Sequence, residues 1–284
     1  MSYLGFVWEP ARSDEAFSFP RGSVGTRWKP TFHVSRFTGD VFSSLKAPPN
    51  LKKSGNMIPL KDENPTWTFP FVTLTLIGAN GAVFIGQLLS AKGFDYVVAQ
   101  MALRPYELSH LVDLPPETPI PLPLTVFTAM FMHGGFFHII GNMLYLWIFG
   151  NNVEDVLGHV RFALFYLTCG VIASAAHVLT NLNSPVPMVG ASGAIAGVLG
   201  AYFVRFPSAR VSVLVFFFFF IRIIQIPAVI VLGFWFLMQI LQASAGASGE
   251  GGVAWFAHIG GFVAGVILMT KYGARRRPRI RVVH

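Results

Sequence analysis

From Phe69 onward the chain is a series of long apolar runs broken by glycine, proline or charge, whereas residues 1–69 mix proline, glycine and charges of both signs without a sustained period. A helix crossing the hydrocarbon of a bilayer needs about 20 predominantly apolar residues. The runs predict such helices near 69–90, 133–152, 160–180, 188–205, 226–244 and 253–271. The stretch from Val211 to Leu241 is longer than one span needs and carries Arg222, Gln225 and Pro227 in its middle. Proline favours the first turn of a helix, so the fifth helix is expected to start near Pro227. Phe216 to Phe220 then form an interfacial segment leading into it, the alternative being one tilted helix kinked at Pro227. The expected fold class is an all-α polytopic membrane protein, a six-helix bundle.

Composition agrees with this pattern. The 284 residues are 53% hydrophobic and 12% charged, about half the charge of an ordinary soluble domain. The net charge of +8 does not point to nucleic acid, because the basic residues collect at the two ends of the chain rather than in a groove with aromatics. Attraction to a membrane surface accounts for them better, so the lipid bilayer is the expected partner. The single cysteine, Cys169, excludes an internal disulfide, and no Cys/His grouping has zinc-ligand spacing; neither metal nor cofactor is expected. Lys and Arg concentrate before residue 69, in the second and fourth connections and in the tail, which places both termini in the cytoplasm. The first external loop, 91–132, is too long for a structureless connection and is expected to be partly ordered.

Few polar side chains lie inside the apolar runs, and each is a functional candidate by position. His138 and Asn142 on the second span, Ser192 at the start of the fourth and His258 near the start of the sixth fall at a similar depth. They suit acyl transfer. Ser192 would be the nucleophile, at a helix N-terminus whose free N–H groups favour an oxyanion. His258 would be the general base of a dyad, since no Asp or Glu is placed to make a triad. His138 and Asn142, spaced i, i+4, share a helix face and are free to donate to the same oxyanion. Each also has an ordinary reading: Gly190-Ala191-Ser192-Gly193 as a packing surface, His258 lining a polar cavity, Asn142 as interhelical glue, Gly261 and Gly265 as helix packing. His133 stands at the edge of this set.

His133-xxxx-His138-xxx-Asn142, Gly150-xxx-Glu154-xxx-Gly158, Gly190-Ala191-Ser192-Gly193 and Ala257-His258-xx-Gly261-xxx-Gly265 occur in this order, and together the sequence resembles the rhomboid intramembrane serine proteases. The resemblance covers about Met57 to Tyr272. It implies Ser192 as nucleophile, His258 as base, His138, Asn142 and the Ser192 N–H as oxyanion donors, and a movable fifth helix around Trp235 and Phe236 as a lateral gate. It implies single-pass transmembrane proteins as substrates, cut near the outer membrane face. Gly190, Gly193, Gly261 and Gly265 are its packing positions. Two departures stand out: Leu124-Thr125 where many members carry Trp-Arg in the first external loop, and Val253 where some have glycine.

The expected organisation is a cytosolic extension over 1–56, a rhomboid protease domain over 57–272 and a basic tail over 273–284. The resemblance opens at Met57-Ile58-Pro59-Leu60, similar to many bacterial rhomboids, which implies a bacterial inner membrane. It also suggests translation from Met57, against the alternative of a genuine extension that binds a membrane surface or a partner. Two rival functions are a catalytically silent rhomboid-like protein that binds membrane clients and a small histidine-lined transporter. The first has no need of both Ser192 and His258; the second would place ionisable groups at several depths.

Overall fold

The structure is a computed structural model and describes residues 57–217, 220–245 and 253–273; the expectations for the extension 1–56 and for the tail beyond Gly273 lie outside the described residues. Strand β1 (Met57–Asp62) precedes helices α1 (Phe71–Leu89), α2 (Phe94–Met101), α3 (Pro105–His110), α4 (Thr125–Ala129), α5 (Phe136–Leu157), α6 (His159–Thr180) and α7 (Ser192–Arg205). Strands β2 (Arg210–Phe217) and β3 (Phe220–Pro227) and helices α8 (Ala228–Ser244) and α9 (Trp255–Tyr272) complete it. Helices α1, α5, α6, α7, α8 and α9 fall on the segments expected from the apolar runs. Among the described residues, α1 and α6 are each long and apolar enough to cross a membrane.

The all-α expectation is corrected by an antiparallel sheet of order β1-β2-β3. The segments Arg210–Phe217 and Phe220–Pro227 are strands rather than part of a kinked helix. They are dense in Val, Ile and Phe, which fit a pleated surface, and they pair from Arg210 opposite Pro227 to Phe217 opposite Phe220. Val211 and Val213 sink into the core beside Ala228, Val231 and Leu232 of α8. β1 pairs with the other side of β2, Met57 opposite Val215 and Asp62 opposite Val211. Pro59 is tolerated there because β1 is an edge strand. Pro227 ends β3 and stands immediately before α8, with φ −55°.

Helix α7 packs against α5, α6, α8 and α9, and its residues from Ala194 to Tyr202 are all buried. The crossing of α7 and α9 is backbone on backbone. A Cβ added to Gly261 would meet the Gly193 carbonyl, one added to Gly265 the Gly197 carbonyl, and one added to Gly200 the Phe262 carbonyl. Small residues are what permit such an approach.

At the sheet end of the bundle, α1 begins at Pro70 with no side-chain cap of its own. Glu154 of α5 supplies one: Oε1 accepts the Val72 N–H at 2.9 Å, and Oε2 accepts the Thr73 N–H at 2.8 Å and its hydroxyl at 2.7 Å. A carboxylate at a helix N-terminus satisfies orphan donors and complements the dipole. The motif residues around it have matching roles. A Cβ on Gly150 would come within 3.2 Å of Thr73 Oγ1. Gly158, at φ +80°, ends α5 where α6 begins.

The segment 91–132 is ordered through α2, α3, α4 and a 3-10 turn at Leu122–Leu124. Arg104 and Glu107, both buried, pair at 2.7 Å, and each also bonds the backbone of Leu114. This knot ties the start of α3 to the turn at Leu114 within the loop.

Candidate active site

The site forms at the end of the bundle opposite the sheet, where α7 and α9 both begin. Ser192 is the first residue of α7 and His258 the fourth of α9. The glycine crossing draws the two helix starts together until His258 Nε2 stands 2.8 Å from Ser192 Oγ. That is within the reach required between a nucleophile and its base. The N–H groups of the first turn of α7 have no intrahelical acceptors, so an electrophilic site lies beside the hydroxyl.

Helix α5 contributes His138 and Asn142 to the same end. Both reach the turn before α7: a Cβ on Gly190 would lie 2.7 Å from His138 Nε2 and 3.6 Å from Asn142 Nδ2. Gly190 has φ +123°, so both the backbone conformation and the neighbouring imidazole require glycine. It was expected to be a helix-packing residue; the structure puts it in the loop before α7 instead, while Gly193, Gly261 and Gly265 do lie in helix contacts. The Gly134 N–H donates to His138 Nδ1 at 3.3 Å, which leaves the proton of a neutral imidazole on Nε2, facing Gly190. Asn142 Nδ2 is buried and without a hydrogen-bond partner. Two donors thus converge on the Gly190 turn that precedes Ser192, and that of Asn142 has no partner to donate to.

His133 stands behind this pair, its ring edge-to-face with His138 at 5.2 Å. Its backbone is clamped by Gln87 of α1, which donates to the His133 carbonyl at 2.9 Å and accepts its N–H at 3.2 Å. The loop 91–132 holds the other side. Leu103 and Met188 exchange backbone hydrogen bonds at 3.1 and 2.7 Å, and the Gly190 N–H donates to the Ala129 carbonyl at 2.8 Å. Trp235 lies 5.8 Å from the His258 ring, and Phe236 stacks on Phe262 of α9 at 4.3 Å.

Gln239 was missed in the sequence. It lies on α8, one turn beyond Trp235, and its Oε1 is 2.8 Å from His258 Nδ1. The available signal was an amide deep in an apolar helix that holds one other, Gln242, near its end, a position that calls for a partner. Among the described residues no group of three or more His, Cys, Asp and Glu stands close enough to hold a metal ion.

The Rhomboid domain model matches residues 123–275, more than half of the chain. The chain is 31% identical to Rhomboid protein 1, mitochondrial, of Saccharomyces cerevisiae over 166 residues, 55% of this chain and 44% of that protein. It is 33% identical to Rhomboid protease GluP of Bacillus subtilis over 150 residues, 51% of this chain and 25% of that one. It is 33% identical to the human Presenilin-associated rhomboid-like protein, mitochondrial, over 88 residues, 30% and 23% of the two chains. The chain spans less than half the length of these curated relatives.

Proposed function

Because the chain belongs to the rhomboid family of integral membrane proteins, we propose that it is an intramembrane serine endopeptidase acting through Ser192 and His258. The observation that carries this reading is the 2.8 Å approach of His258 Nε2 to Ser192 Oγ from helices far apart in sequence. Ser192 Oγ attacks the scissile carbonyl carbon while its proton passes to His258 Nε2. The developing oxyanion is met by the Ser192 N–H, Asn142 Nδ2 and the Nε2–H of His138. His258 then protonates the leaving amine, and water hydrolyses the acyl-enzyme. Residues 57–272 form the functional domain, with α1, α5, α6, α7, α8 and α9 crossing the bilayer, both termini in the cytoplasm and the site toward the outer face. Substrates are single-pass transmembrane proteins with helix-weakening residues near the scissile bond, admitted past Trp235 and Phe236. The relatives come from mitochondria and from a bacterium alike, which corrects the expectation of a bacterial inner membrane to a membrane location in general.

A fluorophosphonate probe tests the reading. The wild-type protein is expected to be labelled covalently, and Ser192→Ala to abolish labelling. Ser192→Ala and His258→Ala are each expected to abolish cleavage of a model transmembrane substrate while thermal unfolding in detergent stays nearly unchanged. Substantial turnover by either variant would remove the mechanism.

A further inference from the structure

Gln239 fixes where the proton of His258 sits. Its amide is buried, 6% exposed, and its Nε2 donates at 3.2 Å to the carbonyl of Trp235 in its own helix. A carbonyl only accepts, so the amide nitrogen faces Trp235 and the amide oxygen faces the imidazole. That oxygen also only accepts, so at 2.8 Å from His258 Nδ1 it requires the proton to be there. A neutral imidazole with Nδ1 protonated presents a lone pair at Nε2, toward Ser192 Oγ. The opposite tautomer would set two lone pairs against each other in a buried site and aim an N–H at the serine, where it could take no proton.

This chain of orientation starts on α8. Among the described residues α8 packs on α9, α7, β2 and β3 and makes no contact with α5, so one flank is uncovered. Its attachment to α9 runs through Trp235 beside His258 and Phe236 stacked on Phe262, with the Gln239–His258 bond between the same two helices. We propose, resting on the protease reading above, that Gln239 is a positioning residue that holds His258 in its base-competent tautomer, and that the base is competent only while α8 is docked on α9. Withdrawal of α8 from α9 removes the acceptor and frees the imidazole to rotate and to exchange tautomers. Catalytic competence and the position of the gate helix are thereby coupled through one amide.

The test uses the full-length protein in detergent, with Gln239→Met, close in size but without an acceptor, and Gln239→Glu, which keeps an acceptor and adds charge. Gln239→Met is expected to lower kcat for a model transmembrane substrate at least about 10-fold with KM within a factor of two, and to slow fluorophosphonate labelling in parallel. Gln239→Glu is expected to restore kcat to within a few fold and to move the acid limb of the pH profile to higher pH, because a carboxylate at Nδ1 favours the imidazolium. Wild-type kcat and an unmoved acid limb in Gln239→Met would overturn the proposal. So would equal losses in both variants without a shift in the profile, which would mean that Gln239 only packs. Should Gln239→Met unfold, the acid limb of Gln239→Glu decides alone, and an unmoved limb refutes the assignment. A wild-type protein that neither labels nor cleaves sinks the protease reading itself; an active wild type with an indifferent Gln239→Met sinks only the role of Gln239.

Discussion

The two ends of α5 both bury polar side chains, and they treat them in opposite ways. At the sheet end three carboxylates each accept from two or more partners. Glu154 accepts from Val72, Thr73 and His159, Asp155 from Trp67 and Thr68, and Asp62 from Asn152 and Tyr202. At the site end, a few turns away, Asn142 Nδ2 and His133 Nε2 are buried without partners. Buried polar groups are ordinarily paired, and an unpaired donor is costly. On α5 itself the carboxylates of one end are paired, whereas the Asn142 amide at the other is left open to a ligand.

The sharpest way to break this contrast is at the open donors. Removing one preorganised oxyanion donor typically costs about 100- to 1000-fold in rate, so Asn142→Ala and His138→Ala should each lower turnover by that order, with the double variant less than additive. Thermal unfolding of Asn142→Ala should not fall, because no protein hydrogen bond of Nδ2 is lost. Kinetics and melting on the same preparations check both halves. A change of only a few fold in both variants would leave the Ser192 N–H sufficient and make His138 and Asn142 of α5 structural.

The sheet end should respond the other way. Glu154→Ala leaves the buried N–H groups of Val72 and Thr73 without acceptors and removes the charge from the start of α1. A loss of about 3 kcal/mol is expected, seen as a lower melting temperature in detergent, while turnover per folded molecule stays within about two-fold. A variant that melts normally but fails to cleave would transfer Glu154 from the frame to the site.

Much of this contrast was legible in the chain. The spacing His138-xxx-Asn142 and the small-residue runs around Ser192 and His258 survive translation into three dimensions because helix periodicity is local. The positions of the apolar helices were readable for the same reason. The sheet was not: Arg210 to Pro227 is as apolar as a membrane span, and hydropathy does not separate a strand pair from a helix of that length. The excess of Val and Ile was the only local hint, and the pairing of β1 with β2 spans some 150 positions, a contact no window of sequence contains. Gln239 was hidden for a related reason. Its meaning depends on how α8 leans on α9, and nothing within α8 reveals which imidazole it meets.

The smallest expected effect asks whether the saturated end depends on charge or only on geometry. Asp62 Oδ2 accepts from the Asn152 amide and the Tyr202 hydroxyl, each at 2.7 Å. Burial holds its carboxyl above the ordinary 3.8, against the opposing pull of the Tyr202 hydrogen bond. A carboxyl whose pKa is raised on folding binds its proton more tightly in the folded state, so its contribution to stability is full below the unfolded value. That contribution is lost as pH rises through the folded value. Asp62→Asn keeps an oxygen able to accept both hydrogen bonds and carries no charge at any pH. The variant should therefore lie within about 1 kcal/mol of wild type at neutral pH. Its melting temperature relative to wild type should rise as pH is taken from about 4 upward, with cleavage unaffected. Melting curves of the pair across that range provide the measurement. A wild-type advantage that grows with pH would show that the ionised carboxylate itself holds β1 to α5 and α7. The expected result would instead mean that at Asp62 two well-placed donors and one acceptor suffice, and that β1 is held there by satisfied hydrogen bonds rather than by charge.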